Sequence, residues 1–578
     1  MSSQQSAVGQ PVPPTKHAVS VSLPTWADTV GYKMGDAGIL KCMQNGYPRY
    51  FIHMSIRKLA YICEQRYATA SERSLLLGSY DAAEACLLFM ATRNVSVRGV
   101  MRLRLPDARP GAQVYVVFFP AESFHIAKQF WQYTGHGISS RLADHCLVSI
   151  EIESSHSELV LERVTDSMAD NSATHELALE AISNCAATAK MAIRLRIAHL
   201  LAYDVSADAA EDEAALPQRT GMPVTENDVF LYGAGMTAIW SAHQLCIRSL
   251  GARKSVCFGF PYADTLKVLQ KWGPGCHFFP DGEESSIESL EALLSTQQAL
   301  DLTHPPILAL FTEFPSNPLL RSVDLLRLRT LADKYSFPIV VDDTIGNSVN
   351  VRVMPYADIV VTSLTKVTSG HANVMGGSLV LNPSSKHYAA LRASLQQTYQ
   401  DVYFDEDAIL MERNSRDFLH RVNIINDNAE AVCNVLRSAS PVIKEVFYPK
   451  WQTYANYDAC RVKSSSGKGG GYGGLFSLLF ASFPAAREFY DALPFAKGPS
   501  LGTNFTLACP YAILAHFEEL EWAAQYGVPD GLVRVSVGLE EKGVLLEGIL
   551  IAVKAAERAH AKMMKDDGDY GKAQGLKL

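Results

Sequence analysis

No run among the 578 residues is apolar for the roughly 20 positions that a membrane-spanning helix needs, so no membrane partner is expected. Positive charge is not in excess either. The chain carries 52 Lys and Arg against 60 Asp and Glu, a net charge of −8, which argues against nucleic acid or an anionic membrane surface as its main partner. Cysteine is present but unpatterned: 11 residues, odd in number, scattered, and never spaced C-x-x-C. Neither a disulfide framework nor a zinc site is indicated, and no metal is expected. Residues 1–17 hold neither an apolar secretory core nor an Arg-rich amphipathic helix, so the chain is expected to be cytoplasmic. The glycine-rich segment SSSGKGGGYGG at 464–474 is not a phosphate-binding P-loop. It lacks a glycine five residues before Gly467, and Gly469 stands where Ser or Thr is required. No internal repeat is found.

With 48% hydrophobic and 19% charged residues, a chain of this length holds several cores and two to four domains. Residues 1–24, rich in Ser, Gln and Pro, are expected to form a disordered tail. Residues 25–205 are expected to fold as an amino-terminal extension, with a strand-like run at 113–119 and a helix at 186–201. In that helix Met191, Ile193, Ile197 and Leu200 would form an inward stripe. Residues 206–228, with Asp208, Glu211, Asp212 and Glu213 followed by Pro217, Gly221 and Pro223, are an acidic linker or insert; a solvated loop fits them better than a functional acidic motif. From 229 to 383 short apolar runs at 229–232, 256–260, 307–311, 339–341 and 359–361 alternate with segments long enough for crossover helices. That pattern is the signature of a doubly wound α/β domain with a mainly parallel sheet. Residues 565–578 would make a polar, frayed tail.

The chemistry is concentrated between 337 and 383. The run at 339–341 ends at Asp342 and Asp343, and the run at 359–361 ends at Ser363, Thr365 and Lys366. Ligands of an open parallel sheet sit beyond the carboxyl ends of its strands, so both sets would face one site. An amine meeting a carboxylate there suits pyridoxal phosphate. The lysine would hold the cofactor as a Schiff base, and the carboxylate would keep the pyridine nitrogen protonated so that the ring acts as an electron sink. The bland alternative is a solvated lysine and an Asp pair that forms a turn.

V-D-D-T, S-L-T-K with its lysine 24 residues after Asp342, and then S-G-H-A-N-V-M-G-G resemble the Cys/Met-metabolism family of PLP-dependent enzymes. That family includes cystathionine γ-synthase, cystathionine γ-lyase, methionine γ-lyase and the homoserine sulfhydrylases. The likeness runs from 229 to about 551, and H-A-V-S-V-S-L-P-T-W with G-Y-P-R-Y-F-I-H resembles the long fungal-type cystathionine γ-synthases. It implies a fold-type-I transferase with an α/β large domain, a smaller α+β carboxy-terminal domain over residues 384–564, and a homodimer or homotetramer with shared active sites.

Residue by residue, the resemblance implies that Lys366 forms the Schiff base and that Asp342, rather than Asp343, faces the pyridine nitrogen. Tyr262 would stack on the ring and shuttle protons, and Asn317, in E-F-P-S-N-P, would bond its phenolic oxygen. Backbone N–H groups of Gly235 and Met236, with the hydroxyls of Ser363 and Thr365, would hold the phosphate. Arg534, in V-R-V-S-V-G-L-E, and Ser500 would hold the substrate carboxylate. The family's Y-x-R-x-x-N phosphate anchor, supplied by a neighbouring subunit, has its nearest equivalent in L-E-R-V-T-D at 161–166, without the Tyr or the second Arg. Tyr47-Pro48-Arg49 is the only Y-x-R in the first 200 residues. The implied reaction is γ-substitution on an O-acylhomoserine, with cysteine giving cystathionine. The alternatives are a paralogue adding another thiol or a carbon nucleophile to the same intermediate, and a catalytically impaired subunit with a role in assembly.

Overall fold

Runs of β-branched and aromatic residues bounded by turn formers build four sheets among the described residues. A computed structural model of the chain describes residues 7–104, 112–153, 160–163, 176–201, 223–463 and 469–575. Strands β1 (Pro11–Val12) and β2 (Ser20–Val21) pair antiparallel. The tail expected over 1–24 is therefore ordered from residue 7, and Val19, Val21 and Leu23 are buried. The polar composition comes mostly from residues 1–17, whereas the period-two run after them carries the burial. Val19 N–H donates to the Ala372 carbonyl at 2.7 Å and Leu23 N–H to the Lys497 carbonyl at 3.0 Å, so this strap bridges two domains.

The extension sheet comprises β3 (Glu72–Leu77), β4 (Val100–Arg104), β5 (Val114–Pro120) and β6 (Val160–Arg163), antiparallel in the order β3-β5-β4-β6. Strand β5 is buried on both faces. Val114, Val116 and Phe118 pack with Leu59, Ile138 and Leu142, while Tyr115, Val117 and Phe119 pack with Cys86, Phe89 and Phe130.

The large sheet runs β7-β13-β12-β11-β10-β8-β9, from β7 (Val229–Tyr232), β8 (Ser255–Phe258), β9 (Cys276–Phe279), β10 (Leu310–Glu313), β11 (Ile339–Asp342), β12 (Ile359–Thr362) and β13 (Gly377–Leu381). Strands β9, β8, β10, β11 and β12 are mutually parallel, and β13 is antiparallel to both its neighbours. The run expected at 307–311 enters the ladder only at Leu310, which carries the strand on to Glu313. Glu313 lies directly beside Asp342, so the carboxyl ends of β10 and β11 are level.

The carboxy-terminal sheet is β14 (Ile443–Phe447), β15 (Leu475–Phe480), β16 (Ala496–Lys497), β17 (Leu507–Pro510) and β18 (Val533–Ser536), in the order β14-β15-β18-β17-β16. Several expected boundaries move. Helix Glu176–Leu201 puts Ile193 and Ala198 into the large-sheet core, not that of the extension, and Met191 of the expected stripe is exposed. Trp26 packs into the carboxy-terminal core. The last helix, Lys542–Gly575, runs through most of the expected polar tail. Residues 202–222, which hold most of the acidic insert, lie outside the described residues. No described helix is long and apolar enough to cross a membrane.

Candidate active site

The level ends of β10, β11 and β12 open on a cavity of about 110 Å³, walled on its other side by residues 499–501 and by Cys509, Tyr511 and Arg534. Lys366, in the turn after β12, is buried, and its Nζ donates to Tyr47 Oη at 3.0 Å and Ser500 Oγ at 3.1 Å. Burial lowers the Lys366 pKa, with Tyr47 opposing. Burial also raises that of Tyr47, but the Lys366 and Arg49 cations outweigh it and bring the phenol down to about 8. The proton affinities of the amine and the phenol are thus drawn toward each other across a 3.0 Å hydrogen bond.

The two aspartates at the end of β11 part company, because neighbouring residues point to opposite faces. Asp342 lines the cavity; its Oδ1 accepts the Thr344 N–H at 2.9 Å, and burial holds its carboxyl above the usual range. Asp343 faces a separate small cavity next to Ile193 and Leu200. It accepts the Thr362 and Ser348 hydroxyls at 2.5 and 2.9 Å, and burial pushes it up to about 6.

Helix Gly235–Leu250 starts at the cavity, so the first-turn N–H groups of Gly235 and Met236 have no acceptor within the helix. A Cβ on Gly235 would stand 2.6 Å from the Ser363 Cβ. Only glycine permits the helix start and the Ser363 turn to share this corner. Thr365 also lines the cavity, but its hydroxyl donates to the Gly376 carbonyl at 3.2 Å and accepts the Gly376 N–H at 3.1 Å. These two bonds fasten the lysine turn.

The Tyr262 hydroxyl accepts from Arg49 and sits 2.6 Å from Tyr50 Oη. On the opposite wall, Arg534 Nη1 donates to Asn317 Oδ1 and its Nη2 to the Ser500 carbonyl, both at 2.9 Å, under the Tyr511 ring. Ser500 has φ +92°, a left-handed conformation rare for serine, and the Ser20 hydroxyl holds the neighbouring Pro499 carbonyl at 2.6 Å.

The two segments nearest the family's anchor motif lie in different places. Leu161, Glu162 and Arg163 lie in β6, at the edge of the extension sheet, with Leu161 in the extension core; residues 164–166 lie outside the described residues. Tyr47 and Arg49 instead line the cavity, and they come from this same chain. Their Y-x-R spacing was the available signal, hidden by the 319 positions that separate Tyr47 from Lys366. Glu313 was missed as more than a motif letter. Its two carboxylate oxygens accept the N–H groups of Tyr262 at 2.5 Å and Asn317 at 3.1 Å, while burial and the adjacent Asp342 push it up to about 8.

A buried amine and a buried carboxylate facing one cavity, a helix start laid bare by a glycine, and two arginines at opposite walls fit pyridoxal phosphate. The profile of the Cys/Met metabolism PLP-dependent enzymes matches residues 227–554, and that of the fungal trans-sulfuration enzyme N-terminal domain matches residues 55–139. The chain is 51% identical to the cystathionine gamma-synthase-like enzyme iboG2 of Amanita muscaria, over 96% of this chain and 97% of that one. It is 39% identical to the cystathionine gamma-synthase of Neurospora crassa, over 95% and 98%. The parallel large sheet and smaller carboxy-terminal sheet are the fold-type-I arrangement. The chain belongs to the Cys/Met-metabolism family of PLP-dependent enzymes, and is a cystathionine gamma-synthase-like member of it.

Proposed function

We propose that this enzyme carries out γ-substitution on an O-acylated homoserine, with cysteine as nucleophile and cystathionine as product. The observation that carries the reading is the Lys366 amine held between the Tyr47 and Ser500 hydroxyls, beside the Arg534 wall. γ-Substitution needs protons removed at Cα and then at Cβ, and later returned. A lysine partnered by a phenol brought down to about 8 can perform each transfer.

Lys366 would hold pyridoxal phosphate through Nζ, Asp342 would face its ring nitrogen, and Tyr262 and Asn317 would contact its ring. Gly235, Met236, Ser363, Thr365 and Arg49 would hold its phosphate. When bound, the cofactor withdraws electrons from the substrate's Cα. Arg534 and Ser500 would hold the substrate carboxylate, since a planar guanidinium matches a carboxylate's two oxygens. Lys366 Nζ would take the Cα proton, pass it to the Tyr47 oxygen at hydrogen-bond distance, and then take the Cβ proton. The acyloxy group would leave Cγ as a carboxylate, and a thiolate would add there. Cytoplasmic placement and a homo-oligomer belong to the same reading.

A second reading changes only the nucleophile. Among the described residues lining the cavity, the cations are Arg49, Lys366 and Arg534. Arg49 is paired with Asp264, and Arg534 is the clamp for the first substrate. The rest of the outer lining includes Ile345, Met375, Leu501, Leu514 and Ala515. That favours a thiol or carbon acid with no carboxylate of its own. Purified enzyme would be incubated with O-acetylhomoserine or O-succinylhomoserine and each nucleophile, and the products read by mass spectrometry. Cystathionine as main product supports the first reading, a different Cγ adduct supports the second, and release of no acyl group contradicts both.

A further inference from the structure

The extension domain touches the cofactor-facing residues through the carboxyl end of helix Phe124–Thr134. The Gln132 carbonyl accepts Arg49 Nη1 at 2.9 Å, and the Gln132 side-chain amide donates to Asp264 Oδ1 at 3.3 Å. The other Asp264 oxygen accepts Arg49 Nη1 at 2.8 Å, and the two side chains of this ion pair are only 6% and 5% exposed. Arg49 Nη2 donates to the Tyr262 hydroxyl. The guanidinium is thus fixed by groups from the extension domain and from the turn and first helical turn after β8.

The extension turn has no slack. Gly135 closes its helix at φ +71°, and a Cβ there would stand 2.8 Å from Thr237 Oγ1 and 3.1 Å from the Thr237 backbone nitrogen. Thr237 is in the first turn of helix Gly235–Leu250, the helix whose bare N–H groups face the cavity. One turn of the extension therefore seats against both the arginine and the helix start.

We propose that Gln132 and Asp264 are positioning residues that hold Arg49 toward the phosphate of pyridoxal phosphate, and that the amino-terminal extension thereby governs how tightly the cofactor is retained. This rests on the reading of the Gly235 corner as the phosphate site. An arginine buried among three tyrosines keeps its charge only while a carboxylate compensates it; without one, a buried cation must move toward water. Asp264 supplies that compensation, and the Gln132 amide fixes which way the Asp264 carboxylate faces. Neither residue is expected to touch the reacting atoms.

The test uses the full-length chain, stripped of cofactor and titrated with pyridoxal phosphate while absorbance follows binding. Arg49→Ala is expected to weaken binding about tenfold or more, Asp264→Asn about tenfold, and Gln132→Leu about threefold. Neither Asp264→Asn nor Gln132→Leu is expected to weaken binding further on an Arg49→Ala background. Breaking the buried pair in Arg49→Ala or Asp264→Asn should lower the apoprotein melting temperature, so binding is compared at a temperature where every variant is folded, whereas Gln132→Leu should keep the wild-type value. Gln132→Leu then decides, because it keeps the bulk and leaves the ion pair in place. Weakening by Arg49→Ala alone, or equal losses with and without Arg49, overturns the positioning role and leaves the phosphate reading standing. Wild-type affinity in Arg49→Ala overturns the phosphate reading at Arg49 itself.

Discussion

At the scale of single residues, the account turns on which aspartate of the pair serves the cavity. Asp342→Asn should retain bound cofactor and lose at least about a hundredfold in turnover, since an amide cannot stabilise a protonated pyridine. Asp343→Asn should lose little turnover. Steady-state rates with the absorbance of bound cofactor check both, and reversed behaviour would put the alignment off by one residue. Asp343 also makes a pH prediction. Folded, it keeps its proton up to about pH 6, whereas its unfolded value is 3.8, so between these values the folded chain binds more protons. Stability from this group is therefore lost as pH rises through that window, and Asp343→Asn should flatten the fall in urea unfolding of the apoprotein. Lys366, Asp342, Asn317 and Arg534 were legible because each lies in a strand of the family's pattern or in the motif that directly follows one. Tyr47 and Arg49 were quoted but left unplaced, since nothing local marks a loop that reaches a lysine far along the chain. The engagement of the Thr365 hydroxyl with Gly376 depends on a turn geometry that spacing does not reveal.

At the scale of elements, the close approach of helix Gly235–Leu250 to the lysine turn carries a sharp expectation. The atoms that a Cβ on Gly235 would meet include the Ser363 Cα at 2.9 Å, which cannot swing aside as a flexible side-chain end would. Gly235→Ala should cost about 1–3 kcal/mol of stability and loosen the cofactor corner. Chemical denaturation of the apoprotein and a cofactor titration measure the two effects separately. The parallel strands β8, β10, β11 and β12 were legible as apolar runs between helical segments. The start of β10 was not, because Ile307, Leu308 and Ala309 are as buried as the strand itself and mark no edge in the pattern. Strand β9 escaped notice because the sheet's edge leaves all four of its residues only partly buried.

At the scale of the whole molecule, the strap of residues 7–24 ties the large domain at Ala372 to the carboxy-terminal domain at Lys497 and Pro499. The strap holds the loop of the strained Ser500, which faces the proposed carboxylate clamp. Ser20→Ala should therefore raise KM for the amino-acid substrate about threefold while changing kcat little. An unchanged KM would separate the strap from the clamp. This arrangement was not legible, because Ser and Pro at the chain start read as disorder while the alternating run after them is too short to stand out. Domain boundaries slipped for a related reason: helix Glu176–Leu201 is separated from its core by a long insert, and only packing shows which sheet it serves. The central claim, that Lys366 carries the cofactor, is tested most directly by reducing the cofactor-loaded enzyme with borohydride and mapping the modified peptide by mass spectrometry. The account predicts a phosphopyridoxyl group on Lys366; the same group on any other lysine would contradict it.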